Sequence, residues 1–342
     1  MSFRVGVTRD FVNPDGSLSC GDIGLGTFDG VSGLEWEFLP ENHTVLPRSV
    51  ADDYDAILLL GPRAAAESVE GARRLKILAR FGVGYDNVDI PACSRNGVLV
   101  SITPDGVRRP VAASMVLYIL ALSHRMIDKD RLIRAGRWND RLGYMGVGLV
   151  GRTVGLIGFG NIGRELSRLL QPFEPNIVAA DPVADPAAAA KLGVGLVDLD
   201  ELLARSDFVC VCCSLSAATH HLIGEPQLSI MKPTAFLVNV ARGPIVDQAA
   251  LTETLRERKI AGAALDVFEE EPIDPSDPLL AMDNVILAPH AICWTDQCFE
   301  GNGLSACRSI LDVMARREPT HLVDRAALRH PRLEAWFTAR AG

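Results

Sequence analysis

Apolar and polar positions in the first hundred residues alternate between strand and helix patterns. Short apolar runs predict strands at 3–7, 36–39, 56–60, 75–79 and 98–101. The stretches between them predict helices over 64–74 and 90–96, and six glycines within 13–33 predict a long loop. Strands that alternate with helices in this way indicate a small parallel sheet covered by helices.

A second series begins after Pro104, Asp105 and Gly106 interrupt the pattern. A long helix is predicted over 109–126, followed by strands at 153–157, 177–180, 208–213, 235–240, 263–266 and 285–287. Helical segments separate most of these strands, and a last helix over 300–316 leaves the series. Six strands with crossover helices predict a doubly wound α/β sheet.

Length and charge narrow the class of protein. A chain of 342 residues predicts two domains of common size, and a net charge of -9 argues against a nucleic-acid partner. The longest apolar stretch, 111–122, is about half a membrane span, so we expect a buried helix and no membrane partner. The first ten residues lack the apolar run of a signal peptide, and we expect a cytoplasmic protein.

The eight cysteines do not predict a metal site. Cys210 and Cys213 have CxxC spacing, but they lie in an apolar run with a strand pattern. Positions i and i+3 of a strand point to opposite faces, so these two thiols cannot share a metal ion. We expect no metal, and reduced, mostly buried thiols.

The segment Gly158-Phe159-Gly160-Asn161-Ile162-Gly163 has the GxGxxG spacing of a dinucleotide-binding loop. It follows the predicted strand TVGLI and opens an amphipathic helical run. The first glycine permits a tight turn, the second lets a pyrophosphate approach the backbone, and the third permits close packing of helix and strand. The free N–H groups at the helix start then bind phosphate.

Asp181 ends the next predicted strand, about twenty residues further along. A carboxylate at that place accepts hydrogen bonds from the adenosine ribose hydroxyls and repels a 2′-phosphate. No arginine follows closely, so the sequence favours NAD over NADP. A solvated strand end is the alternative for Asp181.

Three chemically active residues lie just beyond predicted strands of the second series: Arg242, Glu271 and His290. Ligands of open α/β sheets bind at these carboxyl ends. A protonated histidine can give a proton to a keto oxygen and take it back, a carboxylate can fix its tautomer, and a guanidinium can bind a substrate carboxylate. Singly, each residue is also compatible with a surface ion pair, a solvated acidic run or a structural histidine.

Five segments together resemble the D-isomer-specific 2-hydroxyacid dehydrogenase family. They are FGVGYDNVD (81–89), GLIGFGNIG (155–163), NVARGPIVD (239–247), ALDVFEEEP (264–272) and NVILAPH (284–290). The resemblance implies an enzyme that moves a hydride between NAD and the 2-carbon of a small 2-hydroxy or 2-keto acid. It implies Arg242, Glu271 and His290 as the catalytic residues.

The resemblance also implies further site residues and an architecture. Asp266 would contact the nicotinamide amide, Thr219, Val240 and Ala241 would surround the cofactor, and Val83 and Gly84 would hold the substrate carboxylate. A Rossmann-type cofactor domain, 104–295, would be inserted into a flavodoxin-like substrate domain formed by 1–103 and 296–342. The helix at 109–126 would build the contact of a homodimer.

Three departures from the family pattern leave alternatives open. Arg108 and Arg109 replace the usual start of the long helix, and they either reach the active site or partner subunit or are solvated. Trp294 either walls the substrate pocket or is a buried structural residue. The glycine-rich loop at 16–33 either covers the cleft or is a passive surface loop.

Two other functions remain compatible with the same motifs. One is a related oxidoreductase that acts on a different small anion, as formate- or phosphite-oxidising relatives do. The other is an NAD-binding corepressor or scaffold, which the absence of long disordered flanks and of a basic patch disfavours.

Overall fold

The computed structural model describes residues 2–339 and divides into two compact units. The terminal unit comprises Met1–Pro110 and Trp294–Gly342, and the central unit comprises Val111–Cys293. Each unit has its own parallel sheet and its own buried core.

Twelve strands form within the described residues. They are β1 (Phe3–Val7), β2 (Leu34–Phe38), β3 (Ala56–Leu59), β4 (Ile77–Arg80), β5 (Leu99–Ser101), β6 (Thr153–Ile157), β7 (Asn176–Ala180), β8 (Gly195–Leu196), β9 (Phe208–Val211), β10 (Phe236–Asn239), β11 (Gly262–Leu265) and β12 (Val285–Leu287). Their ladders are parallel throughout.

Twelve α-helices connect or cover these strands in the same part of the chain. They are α1 (Arg48–Ala51), α2 (Ala66–Val69), α3 (Ile90–Arg95), α4 (Pro104–Ser123), α5 (Met126–Arg134), α6 (Asn161–Leu170), α7 (Pro186–Lys191), α8 (Leu199–Arg205), α9 (Glu225–Ile230), α10 (Gln248–Arg256), α11 (Asp296–Met314) and α12 (Pro331–Thr338).

The terminal unit has the strand order β2-β1-β3-β4-β5. This is the flavodoxin-like order, so the predicted class of this domain is confirmed. Helices α11 and α12 come from the C-terminal part of the chain, and Ile310 and Leu333 on them join the core of β1 and β3. The sequence pattern alone did not predict that these helices return to the first sheet.

The central unit has the order β12-β11-β10-β9-β6-β7-β8, a Rossmann-type sheet whose order reverses between β6 and β9. Its inner strands are apolar on both faces because helices cover both sides. Val209 and Val211 of β9 join one buried cluster, whereas Phe208 and Cys210 join the other. Cys210 and Cys213 accordingly pack on opposite sides, as their spacing predicts.

Burial also makes the thiols poor ligands and nucleophiles. It raises the pKa of the Cys210 thiol to about 12 and that of Cys213 to about 11. Cys93, Cys210, Cys298 and Cys307 are buried. Within residues 2–339 no cluster of three or more His, Cys, Asp or Glu side chains is arranged to hold a metal ion.

Several sequence-based boundaries are wrong, for reasons visible in the structure. The helix predicted over 64–74 is reduced to α2, because Gly71 has a left-handed φ of 62° and the backbone N–H groups of Arg73 and Arg74 turn to the Asp52 carboxylate. Strand β8 was not predicted, since it has only two residues, both exposed.

The loop predicted at 13–33 is also only partly a loop. Ile23, Leu25 and Phe28 are buried in the core of the terminal unit, and residues 25–28 form a short 3₁₀ helix. This half of the segment is neither a cover nor a passive loop, because its apolar side chains pack into the core.

Helix α4 is apolar and long enough that length and composition alone would allow it to cross a membrane. Half of that apolar stretch is buried within the protein, as in the core helix of a soluble protein. Met115, Tyr118 and Ile119 join the core of the central unit, which agrees with the predicted buried helix.

Candidate active site

Arg242 lies directly after β10, and a buried amide holds the backbone there. Asn239, which is 1% exposed, donates from Nδ2 to the Arg242 carbonyl at 3.0 Å. Its Oδ1 accepts from the Ala241 N–H at 3.0 Å. The Arg242 guanidinium donates to the Ala241 carbonyl at 2.7 Å. One buried side chain therefore shapes the turn that carries the arginine.

Gly243 brings this turn against the segment that carries Glu271. A Cβ at residue 243 would lie 1.9 Å from the carbonyl carbon and oxygen of Phe268, so only glycine fits. Close contact of the two backbones places the strand ends of β10 and β11 side by side.

Glu271 and His290 form a hydrogen-bonded pair. Nδ1 of His290 lies 2.6 Å from Oε2 of Glu271, and the other carboxylate oxygen accepts from the Phe268 N–H at 3.0 Å. The carboxylate thereby selects the tautomer with the proton on Nδ1. The side chains are 44% and 36% exposed, so Nε2 is the ring nitrogen left for a substrate.

The surroundings keep Glu271 ionised. Partial burial by itself would raise the pKa of this carboxyl group. The hydrogen bonds from His290 and from the Phe268 N–H, with the charges of His290 and Arg242, outweigh burial and lower the pKa of Glu271 below its usual value. Glu271 is therefore close enough to His290 and Arg242 for their charges to stabilise its ionised form.

The backbone of His290 is held in an unusual conformation. Its φ is 53°, in the left-handed region that residues with a Cβ seldom adopt. Asp266 fixes the following turn, because its Oδ1 accepts from the N–H groups of Ala291 and Ile292 at 2.9 and 3.1 Å. The histidine thus projects from a turn that a buried carboxylate anchors.

Asp266 itself is 2% exposed. Burial raises the pKa of this carboxyl group, against the two backbone hydrogen bonds and the nearby His290, which lower it. Its role in the structure is to brace the turn after β12, and its place beside that turn is compatible with the predicted contact to a nicotinamide.

The glycine-rich motif connects β6 to α6 at the point where the strand order reverses. Gly158 has a φ of 99°, and a Cβ there would lie 2.7 Å from the Cys213 backbone nitrogen. A Cβ on Gly163 would lie 2.5 Å from the Gly158 carbonyl oxygen, whereas one on Gly160 meets nothing within 4 Å. Asn161 and Ile162 begin α6. Gly158 and Gly163 are therefore packed against neighbouring backbone, whereas the position of Gly160 is open, where a pyrophosphate would approach.

Asp181 follows β7 and faces this loop. Its Oδ2 accepts from the Phe159 N–H at 2.7 Å and its Oδ1 accepts from the Val183 N–H at 2.9 Å. The carboxylate therefore also positions the glycine-rich loop, which the sequence did not predict. Val183 is 88% exposed and lies within two residues of it, where a flat apolar ligand would cover it.

Thr219 stabilises the turn after β9 with two hydrogen bonds. Its hydroxyl donates to the Ser214 carbonyl at 2.7 Å and accepts from the Ser216 N–H at 2.7 Å. Val240 and Ala241 are half-buried at the end of β10. These three predicted cofactor residues thus lie beyond neighbouring strands of the central sheet.

The remaining predicted residues lie in the terminal unit. Val83 and Gly84 follow β4 in a half-buried loop, which Thr103 anchors by accepting from the Gly82 N–H at 2.7 Å. Trp294 is 60% exposed and packs edge-on against Phe299 at 5.3 Å, so it is not a buried structural residue.

Two arrangements of side chains were not predicted from the sequence. One is the Asn239 clamp, the pair of hydrogen bonds by which Asn239 holds the Arg242 turn, although NVARG was quoted as a motif. The other is a second histidine–carboxylate pair, in which Nε2 of His221 lies 2.6 Å from Oε1 of Glu269. Neither Asn239 nor His221 combines a strand end with an exposed reactive group. That combination is the signal that identified Arg242, Glu271 and His290.

The fold and the site agree with one family of enzymes. The family described as D-isomer specific 2-hydroxyacid dehydrogenase, NAD binding domain, matches residues 116–291, which is just over half of the chain. The chain belongs to the D-isomer specific 2-hydroxyacid dehydrogenase family. The matched region lies wholly within the central unit.

Curated relatives and solved structures extend the match beyond that unit. A glyoxylate reductase from Thermococcus onnurineus is 39% identical over 300 residues, covering 86% of this chain and 90% of that protein. A glyoxylate reductase from Korarchaeum cryptofilum is 40% identical over 255 residues, covering 74% and 77%. The structure of a 2-hydroxyacid dehydrogenase from Ketogulonicigenium vulgare Y25 has 27% identity and a TM-score of 0.77 over 95% of this chain and 99% of that one.

Membership establishes the general activity. The protein is an NAD-dependent D-2-hydroxyacid dehydrogenase that acts on CH–OH donors. The predicted family, fold class and cofactor are confirmed. The assignment of individual residues and of the substrate follows as a proposal.

Proposed function

We propose that the enzyme reduces small 2-keto acids to D-2-hydroxy acids with NADH, and reverses this reaction, with His290 as general acid and base. The observation that carries the proposal is the 2.6 Å hydrogen bond between His290 Nδ1 and Glu271, since it leaves Nε2 as the ring nitrogen for proton transfer. Its support is the chemistry of the residues that surround this pair.

The residues of the central unit fit the cofactor. The open position above Gly160 and the N-terminus of α6 suit a pyrophosphate, and Asp181 suits the hydroxyls of an adenosine ribose. We assign Gly158, Gly163, Asn161 and Ile162 to the same loop. Thr219, Val240, Ala241 and Asp266 stay predicted contacts of the cofactor. Since a carboxylate repels a 2′-phosphate, we propose NAD in preference to NADP.

The chain's own residues then handle the proton and the charges. When bound, NADH would supply a hydride for the 2-carbon of the keto acid. His290 donates the Nε2 proton to the carbonyl oxygen, which becomes the hydroxyl group of the product. In the reverse direction neutral His290 takes that proton from the hydroxyl group. Glu271 remains ionised beside the imidazolium and stabilises it.

Arg242 is the proposed anchor for the substrate. A guanidinium forms paired hydrogen bonds with a carboxylate and polarises a neighbouring keto oxygen. The Asn239 clamp fixes the backbone from which the side chain extends. We propose Val83, Gly84 and Trp294 of the terminal unit as further substrate contacts. On this view the terminal unit is the substrate domain and the central unit is the cofactor domain.

Glyoxylate is the first substrate we propose. Both quoted curated relatives carry the name glyoxylate reductase, with identities of 39% and 40%. The cationic Arg242 suits any short 2-keto acid, so hydroxypyruvate and pyruvate belong to the same class. Trp294 offers an apolar surface for a longer side chain, which the substrate assay tests.

We also propose a homodimer. Of the sixteen large apolar residues that are exposed in the described chain, nine lie between 117 and 150. They are Leu117, Met126, Ile127, Ile133, Trp138, Leu142, Met145, Val147 and Val150. A concentrated apolar surface of this kind marks a protein–protein interface. We further propose a cytoplasmic location, since the sequence predicts reduced, mostly buried thiols, which are typical of a reducing compartment.

The test is loss of NADH absorbance with glyoxylate, hydroxypyruvate, pyruvate, phenylpyruvate and sugar-derived keto acids, each repeated with NADPH. We expect kcat/KM of about 10⁴ M⁻¹s⁻¹ or more for at least one short acid. His290→Ala should lower kcat by roughly 10²–10⁴ while NADH binding persists. His321→Ala, which removes a carboxylate-paired histidine outside the proposed site, is the matched control.

The assay also separates the other functions. Tight NADH binding without turnover on any keto acid would favour a cofactor-sensing role. Turnover on formate or phosphite alone would favour a related oxidoreductase. Full activity of His290→Ala would refute the assignment of the general acid.

A further inference from the structure

The terminal unit contains a cleft of about 350 Å³ that is unusually rich in cations. Four of its seven lining residues are basic, and they come from the segment before β4, from the residues just after α11 and from α12. The lining is Arg73, Lys76, Arg316, Arg332, Ala335, Trp336 and Ala339. No part of the catalytic machinery proposed above belongs to it.

Arg332 is the central cation of this cleft. Its Nη2 donates to the carbonyl oxygens of Leu75 and Gly97, both at 2.5 Å, and more weakly to that of Asn96 at 3.4 Å. Nε and Nη1 are buried and have no hydrogen-bond partner among residues 2–339. A buried guanidinium whose partners are neutral carbonyls keeps its full charge uncompensated.

Acidic groups near Arg332 are already engaged. Asp52 is the carboxylate whose charge acts on Arg332, and its Oδ1 accepts from the N–H groups of Arg73 and Arg74 at 2.8 and 2.6 Å. Burial lowers the pKa of Arg332 despite this carboxylate. The groups around Arg332 therefore carry more positive than negative charge.

Lys76 and Arg316, two other cations of the cleft, have few carboxylates nearby to balance their charge. Lys76 pairs with Asp55 at 2.7 Å, but the same carboxylate pairs with Arg74 at 2.8 Å. Arg316 donates to the carbonyl oxygens of Trp336 and Ala339 at 2.7 and 3.0 Å, which leave its charge intact.

Trp336 holds two of these cations in place. Nζ of Lys76 and Cζ of Arg316 lie 4.3 and 4.5 Å from the centroid of its ring. The indole N–H donates to the Val313 carbonyl at 2.9 Å, which fixes the ring. Because the cations occupy the ring, it is not available to stack on a nucleotide base.

We propose that this cleft binds a small oxyanion with two or more negative charges, either a phosphate group or a polycarboxylate. Its volume lies near the lower end for small-molecule sites, roughly 300–1,000 Å³, which suits a compact anion. The ligand would compensate the charge of Arg332 and accept hydrogen bonds from the surrounding cations. None of the residues assigned above to the cofactor, the substrate or the proton transfer lines this cleft.

The experiment is calorimetric titration of the full-length enzyme with inorganic phosphate and, separately, with citrate. We expect saturable binding of one anion per chain, and the preferred probe identifies the source of the charge. Arg73→Glu reverses an exposed charge at the rim and should weaken binding about tenfold, which is about 1.4 kcal/mol. Arg63→Glu makes the same change at an exposed position outside the lining and should alter binding less than twofold.

A second variant guards against an indirect effect. Arg332→Met removes the buried charge, and its melting temperature should no longer rise with the anion that stabilises the wild type. Absence of saturable binding to either probe would overturn the proposal. Equal binding by the wild type, Arg73→Glu and Arg63→Glu would do so as well.

Discussion

Replacing Glu271 by glutamine tests the proposed proton chemistry most directly. Glutamine has the same shape but only one acceptor oxygen, so it can keep the hydrogen bond from His290 Nδ1 or the one from the Phe268 N–H, not both. The negative charge is lost together with one of these hydrogen bonds. The imidazolium form of His290 then loses its electrostatic partner, so reduction, which uses that form, should slow.

The size of the effect follows from the geometry. Two unit charges about 4 Å apart interact by about 4 kcal/mol at an effective dielectric constant of about 20. The two side chains are 44% and 36% exposed, and water screening reduces the interaction to about 1–2 kcal/mol. Since about 1.4 kcal/mol corresponds to a factor of ten in rate, we expect kcat/KM for reduction to fall about tenfold.

The assay is kcat/KM for reduction of the keto acid at one fixed pH. Its value should fall about tenfold in Glu271→Gln while NADH binding persists. Glu270→Gln removes the same charge at an exposed neighbouring position and should change kcat/KM less than about twofold. An unchanged kcat/KM in Glu271→Gln would show that the carboxylate does not act on the histidine's charge.

Three further predictions concern the cofactor loop, the arginine turn and the interface. Asp181→Ala should weaken NADH binding and reduce discrimination against NADPH, as measured by fluorescence titration with both; an unchanged ratio removes Asp181 from the ribose site. Asn239→Ala leaves the Ala241 N–H and the Arg242 carbonyl without their partner. It should lower kcat/KM for the keto acid about tenfold or more and lower the free energy of unfolding by about 1–3 kcal/mol. Leu142→Glu should shift the protein toward monomer in sedimentation experiments, and an unaltered assembly would place the interface elsewhere.

The strands were the most predictable part of the fold. β1, β6 and β12 were predicted with their observed bounds and β3 within one residue, because strands buried on both faces must be apolar throughout. The strand-end residues were predictable for a related reason. Parallel strands deliver their carboxyl ends to one edge, so Arg242, Glu271 and His290 drew attention as polar residues that follow apolar runs.

Features that depend on the folded backbone and its packing were not predictable from the pattern. The clamp by Asn239 depends on a backbone turn that only the folded chain forms. Phe28 is buried because it packs into the core of the terminal unit. The glycine-rich sequence around it has the pattern of a loop, so this burial was not predictable. The unneutralised charge of Arg332 depends on segments more than 200 residues apart, as its bonds to Leu75 and Gly97 show.

The left-handed backbone of His290 has a consequence for how this enzyme can be improved or can evolve. For a residue with a Cβ such a conformation costs roughly 1–2 kcal/mol, whereas glycine adopts it freely. Selection for heat resistance alone would therefore favour glycine at position 290 and discard the proton donor. Folding and turnover prefer different residues at this position, so thermostable variants of this enzyme have to be selected with activity and stability measured together.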